Sequence, residues 1–472
     1  MFIGRKRELG TLDRCYSSGK FEFVTVYGRR RIGKTTLITE FCRDKKTILF
    51  PALETSAKTN LDMCGAAIAA CTGGVRPALD SFQQALDHIA ELAKHERIIF
   101  VIDEFPYLAA SDRSVSSVLQ NAIDHKFKDS KLMLILCGSS MSFMERQVLG
   151  YNSPLYGRRT AQIKLLPFSY DEVAKWFPSY TPDESAMVYA VLGGVPMYLE
   201  KFSEKKSVPQ NILESVMSTD AVLFEEPSNL LKQELRDPRM YNAIVSAVAG
   251  GRTKLSEISS AVGMETGSVT KYIDNLISLG IVRKECPVLS KSSKRTVYQI
   301  ADNFFRFWYR FVPLNTAAII SGNMPKIFDE AVMVRMNEFM GLAFEEICKD
   351  FVLRSDRIPF TVSKAGQWWG PDKDTRTQMQ IDVVAMSHDG EEALFGACRY
   401  RNEQMTTKVL DELTAGVKAM NGEFSRTHYC LFSKSGFSAS LVDAAKKEGI
   451  LLFTTGDLYE GVGDQPADGQ TR

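Results

Sequence analysis

Hydrophobic residues recur along the first third of the chain in two patterns. Residues 21–27, FEFVTVY, alternate and are rich in β-branched and aromatic side chains, which predicts a strand. Residues 97–102 (RIIFVI) and 132–137 (LMLILC) are continuous apolar runs, typical of strands buried on both faces of a parallel sheet. Segments of helical character at 81–95 and 114–127 separate them. This alternation predicts an α/β fold built on a parallel sheet.

The pattern changes after residue 168. Residues 170–235 are mostly helical in character, with an interruption at LGGVP, and residues 335–460 return to mixed helices and strands. At roughly 150 residues per domain, the chain length suggests about three domains. We predict segments of residues 1–168, 169–236, 237–312 and 313–462, followed by a loose tail at 463–472.

Composition indicates an ordinary globular chain. Of its 472 residues 44% are hydrophobic and 24% charged, and 58 basic residues nearly balance 57 acidic ones. The net charge of +1 does not indicate a nucleic-acid or membrane binder, so such binding would need a local patch. Nine cysteines without a CxxC pair argue against structural zinc and are typical of a reducing compartment. Without an apolar run of 18 residues or a signal-like N-terminus, we expect a soluble cytoplasmic protein.

A glycine-rich motif follows the first predicted strand. It reads Gly28-x-x-x-x-Gly33-Lys34-Thr35 and precedes a helix, which is the context of a phosphate-binding loop. The glycines let backbone N–H groups curl around phosphates, Lys34 can reach the β- and γ-phosphate oxygens, and the Thr35 hydroxyl can bind Mg²⁺. The predicted nucleotide site comprises Gly28, Arg29, Arg30, Arg31, Ile32, Gly33, Lys34, Thr35 and Thr36. The three arginines add positive charge, although only their backbone is needed there.

Polar residues end the two buried strands that follow. Asp103 and Glu104 come directly after one of them, at the edge where ligands of open α/β sheets bind. Asp103 can hold Mg²⁺, while Glu104 can orient and deprotonate an attacking water. The next strand ends at Ser139 and Ser140, where a serine either senses the γ-phosphate or forms a turn. The predicted catalytic set is Lys34, Glu104 and Ser139, with Thr35 and Asp103 as metal ligands.

Several motifs together resemble one group of ATPases. FIGRKREL, YGRRRIGKTTL, VIDEFPYL, CGSSMSFM, PLYGRR and GGVPMYL are similar to the bacterial and archaeal P-loop ATPases of the AAA+/STAND group, over residues 1 to about 235. The resemblance implies an ATPase core and a helical subdomain, with ATP and Mg²⁺ as cofactors. It also implies that Arg158 or Arg159 is a γ-phosphate sensor or inter-subunit finger, with a surface salt bridge as the alternative. The GGVP segment would pack against nucleotide, or simply end one helix and start another.

Residues 239–300 have the layout of a winged helix-turn-helix. Three helical segments precede two strands around a basic wing, IVRKECPVLSKSSKRTVYQI. In a DNA complex the third helix and the wing would present to the groove and phosphates Ser268, Thr270, Lys271, Asn275, Lys291, Lys294 and Arg295. The third helix has few basic residues, so a role as a protein contact or spacer stays open. The helical spacing of the aromatic segment 298–312 favours core packing over base stacking.

The C-terminal region resembles the domain of unknown function that follows such ATPases and is related to PD-(D/E)xK nucleases. The matching motifs are GLAFEEIC with Glu345, QWWG, QIDVVA with Asp382, and FGACRYRNE. Restriction-type cleavage needs two or more acids to hold Mg²⁺ and a lysine beside the water. In this chain Gln380 and Ala397 stand where the resemblance implies acids, and Arg399 stands where it implies the lysine. They therefore supply neither a second acid nor a lysine. We predict a restriction-nuclease-like α/β fold with a degenerate site of Glu345, Asp382, Ala397 and Arg399; Glu403 keeps cleavage open as an alternative.

The residues therefore favour a Mg²⁺-dependent ATPase whose hydrolysis drives binding of nucleic acid or of a protein partner. Two alternatives stay open, namely an ATP-regulated nuclease and a nucleotide-switched regulator that binds DNA through the winged helix. Assembly into a homo-oligomer is also open, and no membrane partner is expected.

Overall fold

The computed structural model describes residues 2–289, 295–372, 375–420, 422 and 424–460. The chain divides into two compact units, Met1–Pro167 and Phe168–Arg472. The further subdivision of the second unit stays a prediction, and the predicted tail lies outside the described residues. No helix in the described ranges is long and apolar enough to cross a membrane.

The first unit contains the predicted parallel sheet. Its five strands run in the order β2-β3-β4-β1-β5, and every pairing is parallel. Neighbouring residues of one strand face opposite cores: Phe23 and Phe100 lie in one, Val24 and Val101 in the other. Both faces are covered, which is why β4 is apolar throughout and β3 is apolar up to Ile102. The strands are β1 (Glu22–Tyr27), β2 (Thr47–Pro51), β3 (Ile98–Asp103), β4 (Leu132–Gly138) and β5 (Ala161–Lys164).

Helices connect these strands and confirm the α/β prediction. The two predicted helical segments form α4 and the α6 region, and α4 starts where the Ser81 hydroxyl accepts the Gln84 N–H. The helices are α1 (Lys6–Ser17), α2 (Lys34–Cys42), α3 (Ala57–Thr72), α4 (Phe82–His95), α5 (Phe105–Ser111), α6 (Val115–Ala122) and α7 (Met141–Phe143), with π-helical turns at Ile123–Phe127 and Met144–Val148.

The second unit begins with helices. The GGVP segment ends α9 at Leu192 and α10 begins at Pro196. The backbones of Gly194 and Phe168 approach each other closely, and the Phe168 N–H donates to Gly194 O at 2.7 Å. A methyl group on Gly194 would lie 1.9 Å from the Phe168 carbonyl oxygen, so only glycine fits at this position. The helices up to the C-terminal sheet are α8 (Tyr170–Trp176), α9 (Pro182–Leu192), α10 (Pro196–Leu199), α11 (Val208–Ser215), α12 (Glu226–Glu234), α13 (Pro238–Ala249), α14 (Leu255–Val262), α15 (Thr266–Ser278), α16 (Asn303–Ile320), α17 (Met324–Ala331) and α18 (Met336–Arg354), with a 3-10 turn at Met333–Arg335.

A two-stranded antiparallel sheet, β6 (Val282–Glu285) with β7 (Val297–Ile300), follows α15. The segment between these strands contacts the C-terminal sheet. Val288 is buried and its N–H donates to Gln367 O at 2.8 Å. Val288 packs closely on Gly366, where a methyl group would lie 2.5 Å from Val288 Cγ2. Arg295 packs on Gly370, where a methyl group would lie 2.8 Å from a guanidinium nitrogen. Arg295, predicted to face phosphates, thus lies over Gly370, while Lys291 and Lys294 lie outside the described residues.

The C-terminal sheet is mixed. Its order is β12-β11-β10-β9-β8, with antiparallel β8, β9 and β10 followed by parallel β10, β11 and β12. The elements are β8 (Val362–Pro371), β9 (Gln378–Ser387), β10 (Glu392–Arg399), α19 (Thr407–Met420), β11 (Arg426–Ser433), α20 (Ala439–Glu448), β12 (Leu451–Thr454) and a 3-10 turn at Gly456–Tyr459.

Buried aromatics and charges join α16, β6 and α18. Phe304, Phe305, Phe307 and Phe311 on α16 are at most 1% exposed, so the aromatic segment is a core element, as its spacing predicts. The Glu346 carboxylate on α18 pairs with Arg283 of β6 and, at 3.8 Å, with Arg306 of α16. Arg283 also pairs with Glu285 at 2.6 Å. Burial alone would raise the pKa of Glu346, but the two arginines hold it below its usual value.

Candidate active site

The glycine-rich loop lies between β1 and α2, at the carboxyl edge of the parallel sheet. Gly28 is required by a close approach, because a methyl group there would lie 2.5 Å from Leu165 O. The loop turns through left-handed backbone at Arg31 (φ 70°) and Gly33 (φ 87°). Such turns direct successive N–H groups towards one point, which is how loops of this kind hold phosphates.

Lys34 begins α2 and its side chain folds back over the loop. Its ammonium group donates to Gly28 O at 2.9 Å and to Arg29 O at 3.0 Å, and the side chain is buried. The positive charge therefore lies at the rim of the curled backbone, where phosphate oxygens would enter.

Thr35 and Asp103 meet across the cleft. The Thr35 hydroxyl donates to Asp103 Oδ2 at 2.8 Å, and Asp103 is the last residue of β3. Burial first, and then the neighbouring Asp103 carboxylate, raise the pKa of the Cys137 thiol on β4. The hydroxyl and carboxylate are hard oxygen donors of the kind Mg²⁺ prefers, so the predicted metal ligands fit the ion.

Glu104 has an unusual backbone and a defined side-chain partner. It adopts left-handed φ 55° and ψ 49° at the start of α5, a conformation that costs a non-glycine residue free energy and is concentrated at functional sites. Its Oε2 accepts the Ser139 hydroxyl at 2.9 Å and the Ser139 N–H at 3.1 Å. The structure thus brings two predicted catalytic residues together and fixes one oxygen of the acid.

The predicted arginine sensor is engaged elsewhere in the same unit. Arg158 forms a bidentate ion pair with Asp124, with Nε–Oδ1 at 3.0 Å and Nη2–Oδ2 at 2.7 Å. This pairing is the main reason the pKa of Asp124 falls below its usual value. Arg159 donates to Leu149 O at 3.4 Å. The salt bridge expected as the alternative is therefore present, and sensing by either arginine stays a prediction.

Two further residues, Arg5 and Tyr107, contact the loop and were not predicted from the motifs. The Arg5 side chain, 5% exposed, donates to Ile32 O at 3.3 Å. Arg30 Nη2 donates to the Tyr107 hydroxyl at 2.6 Å. Both residues lie inside the quoted motifs FIGRKREL and VIDEFPYL, but nothing in their spacing shows that their side chains reach the loop.

These findings agree with the comparison to known families. Residues 2–202 match a family described as an ATPase domain predominantly from Archaea. The protein is an ATPase. Residues 308–410 of this ATPase match a second family, archaeal and bacterial proteins of unknown function.

The chain is similar to proteins of known sequence and to solved structures. An uncharacterized protein of Methanocaldococcus jannaschii is 29% identical over 465 residues, 97% of this chain and 100% of that one. An ATP-binding protein of the same organism is 48% identical over 46 residues, 10% of this chain and 78% of that one. The structure of a Walker-type ATPase of Pyrococcus abyssi aligns with a TM-score of 0.49 and 19% identity, covering 66% of this chain and 96% of that one.

The predicted degenerate site forms a cavity of about 210 Å³ at β9 and β10. Four predicted positions line it, namely Gln380, Asp382, Ala397 and Arg399. Asp382 Oδ2 accepts from Arg399 Nη1 at 3.0 Å and from the Cys398 N–H at 2.9 Å, and Oδ1 accepts from Gln380 at 3.2 Å. Arg399 is thus paired with the carboxylate that would hold a metal.

Glu345 and Glu403 line an adjoining cavity of about 810 Å³. Gln367 Nε2 donates to Glu345 Oε2 at 2.5 Å. Burial first, and then the Asp382 charge, raise the pKa of Glu345 to about 7. Tyr400, which follows Arg399, is buried against Phe344 of α18.

The raised pKa makes Glu345 a source of pH-dependent stability. Its contribution is fully present below its ordinary pKa of about 4.5 and is lost as pH rises through about 7. We expect the melting temperature of wild type to fall between pH 5 and pH 8 by more than that of Glu345→Gln. The exposed Glu330→Gln variant should follow wild type. An equal fall in melting temperature between pH 5 and pH 8 for wild type and Glu345→Gln would contradict the expectation.

Proposed function

We propose that hydrolysis of ATP by this protein requires Mg²⁺ and drives a change in the second unit that controls binding of a protein or nucleic-acid partner. The observation that carries the proposal is the pairing of Thr35 with Asp103 beside the pairing of Glu104 with Ser139. Both pairs lie at the carboxyl ends of neighbouring parallel strands, where the terminal phosphate of a nucleotide held by the loop would lie.

Each residue has one role in this proposal. The loop N–H groups and Lys34 bind the β- and γ-phosphates. Thr35 and Asp103 would hold Mg²⁺, which supplies charge neutralisation at the phosphate oxygens. Glu104 orients the attacking water and accepts its proton. Ser139 fixes the Glu104 carboxylate before nucleotide arrives.

The metal requirement is tested by Thr35→Val, which keeps the shape of the side chain and removes its oxygen. ATP turnover by wild type should rise with Mg²⁺ and disappear with EDTA. The variant should need a much higher Mg²⁺ concentration for half-maximal turnover, because one oxygen donor is lost. The exposed Thr59→Val variant is the control. Equal Mg²⁺ dependence in wild type and Thr35→Val would show that this hydroxyl does not hold the metal.

The winged-helix interpretation of α13–α15 with β6 and β7 is part of the proposal, and its surface favours a protein contact over DNA. The exposed residues of α15 include Lys271 but also Asp274, and Glu265 lies at its start. A helix that reads DNA needs positive charge and groove-facing donors. The segment between β6 and β7 also contacts β8 through Val288.

A nuclease-like origin of the C-terminal sheet is likewise proposed, with cleavage lost. A divalent ion does not fit Asp382 as the structure has it, since Arg399 occupies one oxygen and residue 397 is alanine. In an assay of DNA with Mg²⁺ or Mn²⁺, wild type and Asp382→Ala should both leave DNA uncut. Cleavage by wild type that Asp382→Ala abolishes would instead support the ATP-regulated nuclease.

A further inference from the structure

We propose that residues 286–289, between β6 and β7, form an autoinhibitory latch on strand β8, and that the latch leaves β8 when the protein hydrolyses ATP. The inference rests on the proposed function, because it names the change in the second unit that hydrolysis would drive. Opening would free the outer edge of β8 for a strand of a protein partner. We call residues 286–289 the latch.

Strand β8 lies at one end of the C-terminal sheet. It is the outermost strand of the order β12-β11-β10-β9-β8, so it pairs with β9 on one edge only. The outer edge of such a strand is where another chain can add a strand, and proteins commonly cover it. The Val288 N–H of the latch donates to Gln367 O of β8 at 2.8 Å. The latch therefore occupies a backbone acceptor that a partner strand could otherwise use.

The side chain of Val288 packs on the C-terminal sheet rather than on β6 and β7. Val288 is 4% exposed and shares one apolar core with Trp368 and Ile381, whereas Ile300 of β7 belongs to a different core. A methyl group on Gly366 would lie 2.5 Å from Val288 Cγ2. Glycine at position 366 therefore leaves the room that this valine fills.

The residue that follows Val288 makes the contact costly. Leu289 has a left-handed φ of 67° and is 43% exposed. Left-handed backbone costs a leucine free energy, and such strain is concentrated at switch regions. Among the described residues the latch makes one backbone hydrogen bond to β8, and regions with few such bonds open before a whole domain unfolds. The latch is therefore suited to opening while the C-terminal sheet stays folded.

Helix α18 connects the latch to the start of the second unit. Gln367, whose backbone oxygen holds Val288, donates through its side chain to Glu345 on α18 at 2.5 Å. Further along the same helix, Arg354 pairs at 2.9 Å with Asp171 of α8, which is the first helix of the second unit. Coupling between distant sites passes through packed elements and ion pairs of this kind. A shift of α8 against α18 would therefore reach the β8 residue that holds the latch.

The test locks the latch with a disulfide in the full chain. A side-chain carbon on residue 366 would lie 2.5 Å from Val288 Cγ2, so Val288→Cys with Gly366→Cys places two thiols within reach of each other. After oxidation by oxidised glutathione, this variant should turn over ATP about 10-fold more slowly than after reduction, because a closed latch holds the second unit in one state. Each single cysteine variant is a control and should turn over equally under both conditions. All of these chains carry Cys286→Ser, because that thiol is exposed nearby.

Two single substitutions should move the latch in opposite directions. Val288→Asp places a charge in an apolar core and should open it, whereas Leu289→Gly removes the left-handed strain and should hold it closed. Turnover should rise by about 3-fold in the first and fall by about 3-fold in the second, following the open fraction. Amide hydrogen exchange of β8 should become faster in the first and slower in the second. The exposed Val222→Asp is the matched control and should behave like wild type.

Equal turnover by the oxidised and reduced double variant, with the disulfide verified by mass, would overturn the latch. Exchange of β8 as slow in Val288→Asp as in wild type would do the same. If Val288→Asp does not fold, Val288→Ala takes its place with the same expected direction. Loss of turnover in Glu104→Gln would leave the proposed function standing without the latch, whereas normal turnover in Glu104→Gln beside a working disulfide lock would mean the reverse.

Discussion

Replacing Glu104 by glutamine should lower the kcat of ATP hydrolysis by about 100- to 1,000-fold while ATP binding is retained, because a positioned general base contributes on that order. Glutamine keeps the size of the side chain and can still accept the two hydrogen bonds from Ser139. It cannot accept a proton from water. Binding depends on the loop and Lys34, which the substitution does not touch.

The measurement is steady-state turnover together with binding of a fluorescent ATP analogue. Lys34→Ala is the contrasting variant and should lose binding as well as turnover, because its ammonium group lies at the rim of the loop. The exposed Glu54→Gln is the matched control and should behave like wild type. Turnover within a factor of three of wild type for Glu104→Gln would remove Glu104 from the catalytic role and leave the base unassigned.

Local sequence was sufficient for the parts of the site that a strand end or a turn determines. Continuous apolar runs identified β3 and β4 as central strands, and Asp103 and Glu104 followed because a parallel strand must end at the ligand edge. The loop was equally predictable. Gly33 has left-handed backbone and Gly28 is crowded by Leu165, so few residues other than glycine fit at either position.

Contacts between distant residues could not be predicted in this way. Arg5 and Ile32 are 27 positions apart, Arg30 and Tyr107 are 77, and each pair meets only once the sheet has formed. The two readings of Arg158 likewise depended on whether Asp124 would lie beside it, which no spacing rule shows. The burial of Tyr400 also depends on Phe344, 56 positions earlier on α18, and nothing in the local sequence shows that contact.

The same reasoning explains why the C-terminal site was predicted only in outline. Missing ligands can be read from a sequence, as Ala397 shows, but the use made of the remaining groups cannot. Gln367 binds Glu345 through its side chain while its backbone oxygen receives Val288. Gln367 of β8 therefore contacts both Glu345 and the segment between β6 and β7. These residues are distant in the sequence, so the contacts could not be predicted from it.

The largest loss of stability should come from Glu346→Ala. The variant leaves Arg283 and Arg306 in a buried site without the carboxylate they share, and breaking a buried charge network by removing one partner costs about 3–5 kcal/mol. Because β6, α16 and α18 all meet at this carboxylate, the loss should appear in the unfolding of the second unit. On the same helix, Glu338→Ala should change stability by no more than about 1 kcal/mol, since its ion pair with Arg310 is exposed.

A second variant shows whether the cost arises from orphaned charge. Replacing Glu346, Arg306, Arg283 and Glu285 together by leucine and methionine removes all four charges of the network, and it should be less destabilising than Glu346→Ala alone. The Glu346 contribution is present above pH 4.5 and is lost as pH falls through its lowered pKa, so Glu346→Ala should converge in stability with wild type only in acid. Chemical denaturation at pH 7 and at a series of pH values below 4.5 measures this. A quadruple variant less stable than Glu346→Ala would mean that packing, not charge, holds these three elements together.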